Sequence, residues 1–300
     1  MTTATVPLPQ YDKSESRLTV KHRSKKLGAF IRYLILLGVG ILMMYPLVWL
    51  FGGSFKTNQQ IFSEIGFWPQ QFDFTGYIQG WKTSTEYTFA RYFLNSFTII
   101  IPKIIVTIVS CVLVAYGFAR FNFWCKKLLF AVVVGSFMLP QVVLQVPQYL
   151  MFKQFGWLDT YLPFIVPSAF AVDVFFVFMV VQFLRGIPRD MEEAAQIDGC
   201  NALQILWYVL VPILKPAIVS IVVFQFIWTM NDFMGPLIYL STVAKYPISL
   251  ALKMSLGATE EVRWANVIAM SVVALIPSLL VFFSAQKYFI EGIATSGIKG

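Results

Sequence analysis

Apolar residues in this chain come in long, nearly unbroken runs. Six runs approach or exceed the roughly 20 apolar residues that a bilayer-crossing helix needs. They are Phe30–Phe51, Phe93–Phe118, Leu128–Leu150, Tyr161–Leu184, Leu206–Thr229 and Asn266–Phe289. Inside lipid no water satisfies backbone N–H and C=O groups, so a helix, which satisfies its own, is the predicted form of each run. Barrel strands would be shorter and would alternate. The predicted fold class is all-α: a polytopic membrane protein with six transmembrane helices over residues 30–289. A polar tail, 1–29, precedes them and a short tail, 290–300, follows. The stretch 233–256 is moderately apolar, but Pro236, Lys245 and Pro247 interrupt it. It predicts a partly buried or re-entrant loop rather than a seventh crossing.

Composition agrees with the pattern. The chain is 58% hydrophobic and 13% charged, with a mean hydropathy of +0.70, whereas soluble domains carry about a quarter charged residues. His22 is the single histidine, and Cys111, Cys125 and Cys200 have no zinc or disulfide spacing, so no metal site is predicted. The net charge of +8 is read by location rather than as a nucleic-acid signal. Lys and Arg number seven in the tail to Arg32, three in Arg120–Lys127, two in Arg185–Ile205 and two after Ser284. The intervening loops 52–92, 151–160 and 230–265 hold three, one and three. Positive residues favour the cytoplasmic side, so both termini and the 185–205 loop are expected there, with 52–92 and 230–265 outside. The apolar run after the basic tail is too long for a cleaved signal peptide. The tail itself is expected to be disordered or to lie on the membrane surface.

One polar island stands out between the fourth and fifth runs. Four of the fifteen acids fall within Asp190–Asp198. Pro188 suits the residue before a helix, Asp190 can cap it, and Glu193 follows at the capping-box distance. Glu192 and Glu193 lie where the helix dipole favours acids. Gly199 ends the helix, since glycine tolerates the left-handed conformation common past a C-terminus. Asn201 and Gln204 are placed to cap a second helix, and Pro212 is expected to kink or end it. Ala194, Ala195, Leu203 and Leu206 would form a small apolar surface beside the acids. An ordinary amphipathic loop and a docking element fit these features equally well.

The island resembles the EAA loop of ABC-importer permeases, whose pattern reads E-A-A-x3-G-x9-I-x-L-P. Here Glu193-Ala194-Ala195, Gly199, Val209 and Val211-Pro212 stand at those positions. The form with Asp198 before Gly199 is similar to the carbohydrate, maltose-type branch. Val209 and Val211 replace Ile and Leu, Cys200 stands where Ala is usual, and Leu206 where Phe is frequent. Further matches are Tyr116-Gly117-Phe118-Ala119-Arg120, Trp157-Leu158-Asp159-Thr160-Tyr161, Gln182-Phe183-Leu184-Arg185-Gly186-Ile187-Pro188 and Trp228-Thr229-Met230-Asn231-Asp232-Phe233. The resemblance implies the type I ABC-importer permease fold in a bacterial inner or plasma membrane. The loop, about 188–211, would be a coupling helix seated on a cytoplasmic ATPase. Glu192, Glu193, Ala194, Ala195, Asp198 and Gly199 would form the dock, with Leu203 and Leu206 packing beside it. It also implies a second homologous permease, two ATPase copies and an extracytoplasmic sugar-binding protein. The transported sugar is expected to be an oligosaccharide.

The chain contains no G-x-x-x-x-G-K-[ST] phosphate-binding loop, so it is expected to be no enzyme and to hold no cofactor. ATP would be bound by the partner subunits. Ionisable groups within a membrane point to function. Lys103 and Asp173 could pair. Gln145, Asp173, Asn231 and Asp232 are the candidate pore or gate residues, each with a structural alternative. Phe175, Phe176 and Phe178 are expected to pack or face lipid. A stand-alone secondary transporter or channel is the alternative function. It would need an internal repeat or a charged relay, and neither is visible. An intramembrane enzyme lacks a histidine within the apolar runs.

Overall fold

The computed structural model describes residues 13–64, 66–82, 87–255 and 263–296, with side chains between 28 and 288. Residues 1–12 and 297–300, parts of the two expected tails, lie outside the described residues. All regular structure among the described residues is helical.

The first helix, α1, runs over Lys13–Gly53, so part of the expected tail continues the first crossing as helix. Its apolar span, Gly28–Gly53, begins two residues from the predicted boundary. A short helix, Thr75–Trp81, follows in the first long loop. The second crossing, α2, covers Phe89–Arg120. The third run is not one straight helix. It splits into α3, Lys126–Ser136, and α4, Gln141–Gln154, bent by 98°. Pro140 lies in the break, where proline disfavours the helical conformation of the residue before it.

The fourth run crosses as the short turns Leu162–Ile165 and Pro167–Phe170, then α5, Val174–Gly186. Ala171 takes a left-handed φ of 52° at the join. The island supplies α6, Asp190–Ile197. The fifth run enters through Ala202–Ile213 and turns by 75° into α7, Lys215–Met230. The turn falls at Leu214, between Pro212 and Pro216, rather than at Pro212 itself. A π-helical stretch, Ile205–Leu210, precedes it. Beyond α7 the 233–256 loop folds back as Met234–Tyr239 and α8, Ile248–Met254. The sixth crossing is α9, Trp264–Ser296. Among the described residues four helical spans are thus long and apolar enough to cross alone, and the number reaches six when each bent pair is one span.

The bundle is built around α2. One flank of α2 packs on α5, another on α7, while α7 and the Thr75–Trp81 helix pack on α9. Small residues permit the last contact. A Cβ on Gly76 would sit 2.8 Å from the Ala265 carbonyl oxygen, and one on Gly80 would sit 2.8 Å from Met270. One apolar core joins Cys111, Ala115 and Tyr116 of α2 to Phe176–Leu184 of α5 and extends into Ala195, Ile205, Leu206 and Leu210. The island is therefore no appendage, because its inner face belongs to the bundle's core. A second core lies toward the other end of α2, around Phe89, Ile100, Phe226 and Met270. The α1 span and the third run are the exceptions: none of α1's most apolar window is buried, α3 has no buried residue and α4 buries only Phe152.

Candidate functional site

The island is a helix, a glycine and a second helix entrance, as its sequence predicts. At the C-terminus of α6 the Gly199 N–H donates to the Gln196 carbonyl (3.0 Å) and the Cys200 N–H to the Ala195 carbonyl (2.9 Å). These are the two bonds of a Schellman motif, with Gly199 at φ 85°. The second capping box also forms. The Gln204 N–H donates to Asn201 Oδ1 at 2.9 Å, and the Asn201 N–H donates to Gln204 Oε1 at 2.8 Å. The first box does not form. Arg189 occupies the cap position without a side-chain bond, and Asp190 lies inside the first turn with Glu192 and Glu193. The acids there act through the helix dipole instead.

The predicted coupling residues divide into two sets. Glu193, Ala194, Asp198, Gly199 and Leu203 face outward, joined by Ile197 at 86% exposure and Met191 at 47%. Glu192, Ala195 and Leu206 face inward, and Leu206 is completely buried. The expected apolar surface of Ala194, Ala195, Leu203 and Leu206 is therefore corrected: half of it is core. The cause is helical periodicity. Glu192 and Ala195, three apart, share the face of α6 turned to the bundle.

Burying Glu192 requires a partner, and α2 supplies it. Arg120 Nε lies 2.6 Å from Glu192 Oε1, with both side chains less than a tenth exposed. The same guanidinium donates from its Nη2 to the Ile187 carbonyl at 3.0 Å. One turn earlier, the Tyr116 hydroxyl donates to the Ala202 carbonyl at 3.2 Å. One face of α2 thus holds the approach to α6, α6 itself and the start of the second helix.

The far end of α2 makes a comparable set of bonds. Asn95 Nδ2 donates to the carbonyls of Ala244 (2.8 Å) and Tyr246 (2.9 Å). Arg91 Nε donates to the Ala244 carbonyl, and Ser96 Oγ accepts from the Ile248 N–H. The loop they hold is itself stapled by Asp159. That carboxylate accepts from the Ser241 and Thr242 N–H groups, the Thr242 hydroxyl and Lys245 Nζ (2.8 Å). Burial pushes the Asp159 carboxyl up, but the Lys245 and Thr242 side chains and the two backbone donors prevail and hold it well below the usual carboxylate range. Sequence reading quoted Asp159 only within a longer match. Its φ of 56° and its partners some 80 residues on leave no local signal.

The pore candidates are not gathered at one point. Asp173, half-buried at the start of α5, accepts from the Thr107 hydroxyl at 3.3 Å. Lys103, one turn from Thr107 on α2, forms no ion pair among the described residues, so the possible Lys103–Asp173 pair is absent there. Gln145 sits half-buried on α4. Asn231 Nδ2 donates back to the Ile227 carbonyl and borders a groove of about 440 Å³ with Ser249, Lys253, Ser271 and Ser278. Asp232 accepts from the Gly235 N–H and the Ser249 hydroxyl, so it orders the turn after α7. Missed by the sequence reading are Gln225 and Thr229, one turn apart on α7, whose buried Nε2 and Oγ1 have no hydrogen-bond partner among the described residues. Phe176 is buried and stacks on Trp228 at 5.2 Å. Phe175 meets Trp228 edge-on, and Phe178 stacks on Phe130.

Similarity to known proteins agrees with this arrangement. The chain is 32% identical to the osmoprotective compounds uptake permease protein GgtD of Synechocystis, over 69% of this chain and 70% of that one. It is 27% identical to the arabinooligosaccharides transport system permease protein AraQ of Bacillus subtilis, over 87% and 92%. In fold it matches a chain in the crystal structure of a bacterial ABC transporter involved in the import of the acidic polysaccharide alginate. That match has a TM-score of 0.77 and 21% identity, over 94% of this chain and all of the other. Residues 111–294, which contain the island and both of its α2 anchors, match the family described as binding-protein-dependent transport system inner membrane component. The chain belongs to that family, as a membrane-embedded transport subunit of an ABC importer rather than an enzyme.

Proposed function

We propose that this chain carries an oligosaccharide across the membrane, powered by ATP hydrolysed on separate cytoplasmic subunits, and that the outward face of the island is where those subunits seat. The observation that carries this reading is the division of the island. Its inner half is locked into the bundle core. Its outer half offers Glu193, Ala194, Ile197 and Leu203 to a partner. An exposed isoleucine beside acids on a firmly held element suits a cleft that is apolar at its floor and basic at its rim.

The complex would contain a second homologous permease and two copies of the ATPase, each gripping one island. A sugar-binding protein would dock on the opposite side of the membrane. The distribution of Lys and Arg supports a cytoplasmic island and cytoplasmic termini. A sugar cargo is supported by the arabinooligosaccharide and alginate systems to which the chain is similar.

The test is purification of the tagged chain from its native membrane. An ATPase and an extracytoplasmic binding protein are expected to accompany it. Glu193→Lys, which reverses charge on the exposed face, is expected to lower ATPase recovery at least tenfold. The recovered binding protein is then titrated calorimetrically with arabino-oligosaccharides, alginate oligosaccharides, lactose and glycerophosphodiesters. A transport-active preparation with no ATPase would overturn the reading. Tight binding of the phosphodiester alone would replace the sugar.

A further inference from the structure

The two sets of polar bonds on α2 lie near its opposite ends, about 38 Å apart between Asn95 and Arg120 at 1.5 Å per residue. We infer that α2 is a double-ended strut, with Arg120 and Tyr116 gripping the ATPase-facing island and Asn95 and Ser96 gripping the 244–248 loop, so that events at the two faces are transmitted through one helix. The inference rests on the docking role proposed for the island and adds to it the element that carries the signal.

Three observations support it. First, the grips are polar and sit at the two ends of α2; between them, Thr107 and Ser110 bond the 168–173 segment beside α5, and neither bond reaches the island or the loop. Asn95 alone holds two carbonyls of the loop, and Arg120 holds a carboxylate and a carbonyl of the island. Second, the grips are buried: Asn95 is 5% exposed and Ser96 2%, and Arg120 and Glu192 are similarly dry. A buried ion pair adds little net stability over apolar residues of the same shape, whereas breaking one leaves an uncompensated buried charge, so departure from the paired geometry is costly. Third, both gripped segments are pre-stiffened. The Schellman turn and capping box close the island, and the Asp159 staple closes the loop. A helix joining two rigid bodies transmits displacement, while one joining slack loops would absorb it.

Both ends can be tested at once in the purified complex, reconstituted in liposomes and supplied with the four compounds of the titration together. The readout is phosphate release from ATP with the binding protein, divided by release without it. Glu192→Gln breaks the island grip and Asn95→Ala the loop grip. Each is expected to reduce that ratio at least fivefold while the ATPase still co-purifies. The double variant is expected to lose no more than either single, because a strut released at one end is already idle. A wild-type ratio in either single variant overturns the inference, and so do losses that multiply in the double. If either complex fails to assemble, Tyr116→Phe and Ser96→Ala, which each remove one hydroxyl from the same grips, are judged by the same criterion. A wild-type complex whose hydrolysis ignores the binding protein counts instead against the importer reading itself.

Discussion

The island and the 233–256 loop are each tied down by an ion pair, and the two pairs differ in kind. Arg120–Glu192 is dry, with side chains 7% and 9% exposed. Lys245–Asp159 is wet, at 41% and 28%. The dry pair stands nearly alone and depends on geometry, since two charges taken out of water repay their desolvation only when well placed. The wet pair is one member of a cluster of donors around a single carboxylate. Exposed pairs contribute about 1 kcal/mol or less. The same two chemistries thus do different jobs: one sets a single position, and the other gathers a loop.

The sharpest way to break this contrast is to orphan one charge on each side. Arg120→Met leaves Glu192 buried and unpaired, and is expected to destabilise the protein by about 3–5 kcal/mol. The double change Arg120→Met with Glu192→Leu is expected to recover most of it, because well-packed apolar residues substitute for a buried pair without loss. Thermal unfolding in detergent reads both. Equal instability of the single and double variants would mean that the pair stabilises outright.

The next largest effect separates the two faces of the island. Leu206→Ala opens a cavity in a packed core and is expected to lower stability by about 2–5 kcal/mol. Leu203→Ala, at a site 60% exposed, is expected to change it by about 0.5 kcal/mol or less and to show its effect in ATPase recovery. The same unfolding assay, paired with affinity purification, distinguishes them.

Gly199 comes third. No neighbour blocks a side chain there, but φ is 85°. Gly199→Ala is expected to cost about 1 kcal/mol through backbone strain alone, and Gly199→Pro, whose ring holds φ near −65°, to dismantle the turn and abolish uptake. Transport at the wild-type rate in Gly199→Pro would sink the coupling role of the turn.

The smallest effect is expected at the wet pair. The folded-state pKa of Asp159 is depressed, so its contribution is complete above the ordinary carboxylate pKa of about 4 and is lost as pH falls through the lower folded value. Amide exchange in residues 239–246 is therefore expected to keep its protection from pH 8 to about pH 4 after correction for intrinsic rates. Asp159→Asn is expected to weaken protection by about 1 kcal/mol or less across that range. A protection step near pH 6 would point to another group.

How much of this was legible in the sequence follows the reach of each interaction. Apolar length alone placed the six crossings. Gly199 and the Asn201–Gln204 box were readable because their partners lie within five residues. Pro212 marked one break but not its 75° bend, and the break at Pro140 with its 98° bend went unread, because the bends depend on what each segment packs against. The inward turn of Glu192 was not readable, because its partner lies 72 positions earlier on another helix. Nor was the Asp159 staple, whose donors arrive from beyond α7. Asp190 failed as a cap because the helix begins one residue earlier, with Arg189 at the cap, a boundary shift that local patterns do not resolve.

The bareness of α1 has a consequence for how the protein is made. None of its most apolar window is buried by the rest of the chain, so no later helix of the chain is needed to cover it. Of the six crossings it is also the earliest in translation order. A segment that waits in the bilayer while some 200 residues follow is best built to need no cover from its own chain, and the second crossing, which carries the buried polar grips, enters a membrane where their partners are next in line.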